Sequence, residues 1–319
     1  MARSFYIAAC AENGGVYHCH LAENGTLQVC DMLPLVRPMY LAYENGMLYV
    51  LLLDLPNGNG SALVTVPLHA DGSFGAPSAP VPTQGQEACH LDVHNGTVYA
   101  VNYHSGNVIR MPNTVVTHTG HSVHTVRQTA PHTHFVKRTP NGNALFVADL
   151  GTDTVYTYDL QLNLLHTAQV PLGHGCRHLA YAENGKTVYC ANELASTVSI
   201  FSNENGRLTL QDTVAALPPE FSGNSTIAAI RTFGNYVYVS NRGHDSITRF
   251  AVHENSLQLL ECTPCGGCSP RDFDIFDDWL ICTNEHGNNV TVFRLCDGKP
   301  IQQTDTLPLP RPLCVIAVD

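Results

Sequence analysis

Short polar segments that carry arginine, histidine and carboxylate side chains recur between apolar runs of this sequence. In "NRGHDSITRF" (241–250), Arg242 and His244 stand beside Asp245, and in "NELASTVSIF" (192–201) Glu193 occupies the same frame. Arginine binds phosphate and carboxylate groups through two parallel hydrogen bonds, and histidine or glutamate can act as a general base. Brought together, such residues could bind a small anion and activate a water molecule.

A second set of residues with the same chemistry opens other apolar runs. It comprises His90 in "ACH", His132 and His134 in "PHTH", Arg177 in "CRH", Arg231 in "IRT" and Arg271 in "PRD". The two sets are scattered along the chain, so they can cooperate only in a fold that brings many segments to one place.

Both sets fall at fixed positions of a sevenfold repeat. Each copy is an apolar run, a polar turn and a run rich in valine or isoleucine, with an anchor residue that recurs every 43 to 50 residues. The anchors are Tyr6, Tyr49, Tyr99, Phe146, Tyr189, Tyr238 and Ile281. This period matches a four-stranded propeller blade of roughly 40–50 residues, and the β-branched and aromatic enrichment favours strands. The sequence therefore predicts an all-β fold, a seven-bladed β-propeller with four-stranded antiparallel blades, as a single domain over residues 1–319.

The two ends of the chain predict how the ring closes. The first copy lacks the strand that precedes each other anchor, and the C-terminal run "RPLCVIAV" (311–318) has no copy of its own. A C-terminal strand that joins the N-terminal blade would supply the missing strand and remove an exposed sheet edge. We therefore expect that removal of the last nine residues unfolds the protein.

The predicted connectivity places the polar residues. If the first strand of each blade is innermost, its start and the turn between the second and third strands lie at one mouth of the central channel. Four of the 16 lysine and arginine residues would then converge there, namely Arg177, Arg231, Arg242 and Arg271. A local positive site in an otherwise acidic protein is expected to bind a small anion.

Structural roles stay open for some of these residues. His90, His132 and His134 could be inner-strand side chains whose hydrogen bonds are satisfied within the protein, and Asp153 and Asp245 could tie neighbouring blades together.

Composition argues against several partners. The formal net charge of −11 argues against nucleic acid and acidic membrane surfaces, and no apolar run approaches the roughly 20 residues that span a bilayer. "MARSFYIAAC" lacks the apolar core of a signal peptide, so a cytoplasmic protein is expected, in which most of the 12 cysteines are reduced and buried.

"CTPCGGC" spaces Cys262, Cys265 and Cys268 like metal ligands but lacks a fourth donor, so we predict no metal and no cofactor.

Several segments in order resemble one family. "NYHSGNV", "PHTH", "FVADLGTDTVYTY", "CRHLAYAENGKTVYCANELASTVSIF", "YVYVSNRGHDSITRF" and "SPRDF" are similar to the lactonase family of seven-bladed propellers, from about residue 88 to the C-terminus. The resemblance is weaker in the first two blades. It implies hydrolysis of 6-phosphoglucono-δ-lactone to 6-phosphogluconate, a step of the pentose phosphate pathway, without a metal.

The resemblance also implies roles for individual residues. In a fungal cyclase of the family a histidine, a glutamate and arginines are implicated; His134, Glu193 and Arg177 match them here, with Arg231 or Arg242 as a further arginine. We assign Glu193 or His134 as general base and Arg177 as the group that faces the oxyanion. The expected substrate-binding residues are His90, His132, Arg231, Arg242, His244 and Arg271. The family usually has a glutamate just before "IR" of "AAIR", where this chain has Ala229.

Two other functions stay open. A lactonase or cycloisomerase for another sugar or dicarboxylate lactone would use the same mouth without needing a phosphate. A propeller without catalytic activity could instead bind a protein partner, because fold alone does not determine function. Small polar turns around the mouth favour an enzyme with a small anionic lactone substrate, and the sequence leaves the oligomeric state undetermined.

Overall fold

The structure is a computed structural model that describes residues 3–55, 58, 60–254 and 256–318. These residues form seven antiparallel sheets of four strands each and one single-turn 3₁₀ helix, Leu150–Thr152. No helix in these ranges is long and apolar enough to cross a membrane. The arrangement is the predicted seven-bladed β-propeller.

The strands follow the repeat in chain order. Blade 1 contains β1 (Arg3–Ala9), β2 (Gly15–Leu21) and β3 (Leu27–Pro34); blade 2 contains β4 (Pro38–Glu44), β5 (Met47–Leu52), β6 (Ala62–Pro67) and β7 (Val81–Pro82). Blade 3 contains β8 (Ala88–His94), β9 (Thr97–Asn102), β10 (Asn107–Arg110) and β11 (Thr114–Thr117); blade 4 contains β12 (Thr133–Arg138), β13 (Ala144–Asp149), β14 (Thr154–Asp159) and β15 (Leu164–Gln169).

The remaining blades repeat this pattern. Blade 5 contains β16 (Cys176–Tyr181), β17 (Thr187–Asn192), β18 (Thr197–Glu204) and β19 (Arg207–Ala215); blade 6 contains β20 (Thr226–Phe233), β21 (Tyr236–Arg242), β22 (Ser246–His253) and β23 (Ser256–Pro264). Blade 7 contains β24 (Pro270–Phe276), β25 (Trp279–Asn284), β26 (Asn289–Cys296) and β27 (Lys299–Pro308), and β28 (Pro312–Val318) returns to blade 1.

Ring closure follows the prediction from the chain ends. The first sheet has the strand order β28-β1-β2-β3, so the C-terminal strand is the inner strand of the N-terminal blade. Its buried residues pack into the core with β1, and the Val315 amide also donates to Asp272 of blade 7. The two ends of the chain therefore share one blade.

Apolar side chains between blades hold the ring together. Seven buried clusters occur among the described residues, one at each blade interface. All seven sequence anchors are buried, because the strand after each inner strand is covered on both faces by neighbouring blades. Tight turns such as Asn45-Gly46 and Asn95-Gly96, with φ positive at both residues, connect the first two strands of a blade.

Every inner strand contains a β-bulge near its start. The residues without a register partner there are Met39, Cys89, His134, Arg177, Arg271 and Leu313, and in β20 the pair Ala228 and Ala229. A bulge adds a residue to one strand and re-aims its side chain. At the same level of the channel, most blades therefore present one bulged side chain.

Candidate active site

The bulged residues and the polar turns meet in a pocket of about 390 Å³ at the mouth where the inner strands begin. We call it the upper pocket. Its lining consists of Met39, Glu87, Cys89, Tyr103, Arg127, His134, Glu193, Arg242 and Arg271. Four of these are the bulged residues of β4, β8, β12 and β24, so the backbone irregularity builds the pocket wall.

Glu193 lies at the centre of an arginine cluster. It is only 3% exposed, and its Oε2 accepts a hydrogen bond from Nε of Arg177 at 2.9 Å. Arg127 Nη2 lies 2.8 Å from Oε1, and Arg242 Nη2 lies 3.2 Å from Oε2. Burial raises the pKa of Glu193, but Arg242, Arg177 and Arg127 together outweigh it and hold the pKa well below its usual range. The arginines therefore favour the ionised form of Glu193 near neutral pH.

Arg177 is 2% exposed and is not among the residues that line the upper pocket, but it binds Glu193, which is. Its Nη1 donates to the carbonyl oxygen of Ala228 at 2.5 Å and lies 3.2 Å from His178 Nε2. Within the described part of the chain, Nη2 has no hydrogen-bond partner. Burial and the nearby guanidinium groups of Arg271 and Arg242 lower the pKa of Arg177. An anion beside these groups would relieve the repulsion between their positive charges.

Arg127 reaches the pocket from outside the repeat. It belongs to the connection between β11 and β12, residues 118–132, and its Nη2 also donates to the Tyr103 hydroxyl at 3.1 Å. Asp153 holds this connection by accepting bonds from Ser122 and Gln128, and it also accepts from the Gly175 amide of blade 5. The sequence analysis did not identify Arg127, because the segment has no counterpart in other blades.

His134 is a buried imidazole on the wall of the pocket. It is 4% exposed; Nδ1 lies 3.8 Å from Sγ of Cys89, and its ring centroid lies 5.3 Å from that of His178. Burial and Arg177 lower its pKa well below the usual range, against the opposing charge of Glu193. Nε2 has no hydrogen-bond partner among the described residues. At neutral pH this imidazole is therefore neutral and able to accept a proton.

Arg271 and two histidines complete the rim. Arg271 Nη1 lies 3.4 Å from Oε2 of Glu285. His132 stacks on Tyr103 with centroids 4.4 Å apart, and His244 Nδ1 lies 2.7 Å from Ser246 Oγ. Neither histidine lines the upper pocket. His132 and His244, two of the three histidines predicted to bind substrate, are thus engaged in side-chain contacts outside the upper pocket.

His90 and Arg231 do not share the upper pocket, contrary to the expected convergence. Both line a second cavity of about 500 Å³, the lower pocket, at the mouth where the inner strands end. Arg231 pairs in register with Tyr238, well along β20, and its Nη2 binds Oδ1 of Asp272 at 2.7 Å. Arg231 pairs with the anchor of its blade, as Lys137 and Ala180 do in theirs, so it lies beyond the bulge and Ala228 occupies the position that corresponds to Arg177.

A layer of rings lies between the two pockets. His90 contacts Tyr40, Phe135 and His178 at centroid distances of 4.3, 4.4 and 5.1 Å. Burial, Lys137 and Arg231 lower the pKa of His90 well below the usual range. His90 is therefore a neutral part of the channel core, which agrees with the structural role left open for it.

The family model for lactonases, described as "Lactonase, 7-bladed beta-propeller", matches residues 4–317. The chain belongs to this lactonase family. Uncharacterized proteins of Staphylococcus aureus strains USA300 and NCTC 8325 are 37% identical over 206 residues, which is 61% of this chain. The match spans 60% of the length of those relatives.

Solved structures share the fold over the whole chain. A Pseudomonas aeruginosa periplasmic gluconolactonase superposes with a TM-score of 0.89 at 22% identity, covering 100% of this chain and 99% of that one. A Lactobacillus plantarum protein gives 0.89 at 25% identity, with 100% of both chains covered. A Bacteroides fragilis protein, provisionally named a 6-phosphogluconolactonase, gives 0.89 at 22% identity, covering 100% and 98%.

Ala229 stands where the resemblance led us to expect a glutamate. Ala229 is fully buried in the bulge of β20, and its amide donates to Ser240 Oγ at 2.9 Å. The neighbouring Ala228 carbonyl accepts from Arg177. A methyl group thus occupies the position where the resemblance led us to expect a carboxylate, and Glu193 is the acidic partner of Arg177.

Proposed function

We propose that this lactonase hydrolyses an anionic sugar lactone, and that 6-phosphoglucono-δ-lactone is its substrate. The observation that carries the proposal is a pocket in which a neutral histidine lies with Arg127 and Arg242, both paired with Glu193. A pocket of about 390 Å³ is of the size that encloses a small metabolite.

In the proposed mechanism His134 acts as the general base. Nε2 takes a proton from a water molecule while the water oxygen attacks the lactone carbonyl carbon. The carbonyl oxygen becomes an oxyanion, which Nη2 of Arg177 stabilises. The tetrahedral intermediate then collapses, the bond from carbon to the ring oxygen breaks, and the imidazolium returns its proton to that oxygen. Base catalysis contributes about 10²–10⁴ in rate and an oxyanion donor about 10²–10³.

Glu193 has a supporting role in this mechanism. Of the two candidate bases considered from the sequence, the low pKa of Glu193 favours His134. The carboxylate holds the guanidinium groups of Arg177, Arg127 and Arg242 in fixed positions, and its charge stabilises the imidazolium that forms on His134. Donors fixed before the reaction act on developing charge without having to reorganise.

The substrate phosphate is assigned to Arg271 and Arg242. Both line the pocket, and neither is held as tightly by a carboxylate as Arg177 is. Arginine forks match phosphate oxygens, and charge-assisted bonds of this kind are roughly twice as strong as neutral ones. The names of the gluconolactonase and of the Bacteroides fragilis protein agree with a substrate of this class. A role in the pentose phosphate pathway, and hence in the cytoplasm, belongs to the same proposal.

The test compares kcat/KM for 6-phosphoglucono-δ-lactone and for unphosphorylated glucono-δ-lactone, with spontaneous opening subtracted. We expect a preference for the phosphorylated lactone of at least about tenfold, the value of one charge-assisted hydrogen bond. His134→Gln should abolish most of the turnover, whereas the matched control His132→Gln, outside the pocket, should retain it. Equal rates for both lactones would overturn the phosphate assignment, and no turnover of either would overturn the hydrolase assignment.

A further inference from the structure

Three metal-ligand side chains that the lactonase site does not use lie at the crevice between blades 1 and 2, which one of them, His20, helps to line. His18 and His20 lie on β2 and Cys30 lies on β3, and one ligand atom from each lies within 4.8 Å of the other two. Among the described residues this is the one group of three histidine, cysteine or acidic side chains so arranged. The crevice is lined by residues of β1 and β2 together with the 68–72 segment of blade 2.

Strand register explains why these side chains meet. His18 and His20 are two residues apart on β2, so they project from the same face of the sheet. In the pairing of β2 with β3, His18 is opposite Asp31 and Cys19 is opposite Val29, which leaves Cys30 without a partner. Cys30 is thus the extra residue of a bulge, a feature that re-aims a side chain.

The surroundings of His18 resemble a prepared ligand site. Its ring is buried and stacked on Tyr6 with centroids 5.0 Å apart, and Ser4 Oγ lies 3.1 Å from Nε2. An oxygen partner on one ring nitrogen orients an imidazole and leaves the other nitrogen for a metal. Asp31 is opposite His18 in the register of β2 and β3, and Asp71 lines the same crevice as His20, so two carboxylates stand close to these side chains.

We propose that His18, His20 and Cys30 bind one divalent transition-metal ion of the Zn²⁺ class. Imidazole and thiolate are the donors such ions prefer, and tetrahedral bonds of about 2.0–2.3 Å would place the donor atoms about 3.4–3.6 Å apart. The donor atoms lie up to roughly 1 Å farther apart than this in the structure, and movement of the exposed Cys30 side chain can close that gap. The thiol loses its proton on binding, and a fourth position stays open for water or a carboxylate.

The site would act on the blade that closes the ring. β2 and β3 provide the ligands, and Ser4 of β1, which pairs with β28, contacts His18. An ion that binds only the folded protein raises the free energy of unfolding. The increase grows with the logarithm of the ratio of the ion concentration to the dissociation constant of the complex. Metal binding is therefore expected to raise the melting temperature without a change in the lactonase pocket.

The test uses the full chain, free of any polyhistidine tag and stripped with a chelator, titrated with Co²⁺. We expect one Co²⁺ to bind per chain and to give a thiolate-to-cobalt charge-transfer band together with the strong visible bands of a four-coordinate ion. Zn²⁺ should displace the Co²⁺ and remove these bands. Cys30→Ser should remove the charge-transfer band, and His20→Ala should weaken Co²⁺ binding by more than about tenfold. Cys296→Ser, at another exposed cysteine on β26, is the matched control and should bind normally.

Two outcomes would overturn the proposal. One is the absence of a thiolate band when Co²⁺ is added to the wild-type chain. The other is its persistence in the Cys30→Ser variant, which would assign the band to a different thiol. Because Cys30 is exposed, that variant should fold, and its melting curve without metal should match that of the wild type.

Discussion

Replacing Glu193 by glutamine removes one negative charge from among three guanidinium groups and hardly changes the shape of the side chain. Arg177 and Glu193 form a pair whose side chains are 2% and 4% exposed, and removing one partner of such a pair costs about 3–5 kcal/mol. Arg127 is 39% exposed, so loss of its pair costs at most about 1 kcal/mol. The glutamine oxygen still accepts one hydrogen bond. We therefore expect the free energy of unfolding to fall by about 3 kcal/mol.

The same substitution separates the two roles considered for Glu193. Because the arginines hold the pKa of Glu193 well below its usual range, we expect that its loss acts by letting the arginines move rather than by removing a base. A displacement of about 1 Å costs about 100-fold in rate, so kcat/KM should fall by about that factor. The Glu193 charge also raises the pKa of His134. Without that charge the pKa of His134 falls further. The fall in kcat/KM on the acid side of the pH profile should therefore move to lower pH.

Urea unfolding of the full chain and the pH dependence of lactone hydrolysis measure these effects. The matched control is Glu261→Gln, which breaks a pair with Arg249 in blade 6 and should leave the pH profile unchanged. The reasoning is refuted if Glu193→Gln unfolds like the wild type and keeps its kcat/KM. If the variant shows no fall in kcat/KM on the acid side of the pH profile, that fall in the wild type comes from protonation of Glu193, and Glu193 is the general base.

Three further outcomes are expected. Arg271→Ala should raise KM for the phosphorylated lactone by about 10-fold or more, because one charge-assisted hydrogen bond is lost. KM for the unphosphorylated lactone should not change, and steady-state kinetics measure both values. Arg231→Ala should leave both KM values unchanged but lower the urea midpoint, because buried Asp272 loses its partner. Deletion of residues 311–319 should abolish the cooperative unfolding transition, since β28 supplies the inner strand of blade 1. A truncated chain that still unfolds cooperatively would contradict the closure argument.

The fold could be predicted from sequence because each blade obeys the same local rules. Apolar anchors at a constant interval and Asn-Gly turns between the first two strands specify strands and hairpins without reference to distant contacts. Closure followed from a count of strands at the two ends. The anchor recurs in all seven blades and the Asn-Gly turn in four of them, so an error in one copy would not have changed the predicted fold.

The candidate site could be predicted only in part, because β-bulges do not appear in the hydrophobic pattern. His134, Arg177 and Arg271 are bulged residues at the same level, so their convergence followed from equivalent positions. In β20 the bulge contains two alanines, and Arg231 lies farther along the strand at the opposite mouth. Arg127 comes from a connection outside the repeat, where no periodic argument applies.

The role of Glu193 depends on partners that its sequence frame does not contain. Its position in a turn between β17 and β18 indicated a functional residue, and a glutamate alone is equally suited to be a base or a counter-charge. The distinction comes from Arg177 on β16, Arg242 on β21 and Arg127 on the 118–132 connection. Three cations from separate elements hold the carboxylate ionised, and the carboxylate in turn keeps them close together despite their repulsion. A small anion that enters this pocket would therefore meet donors already in position, with the neutral imidazole of His134 on the same wall, which is the arrangement that the proposed mechanism requires.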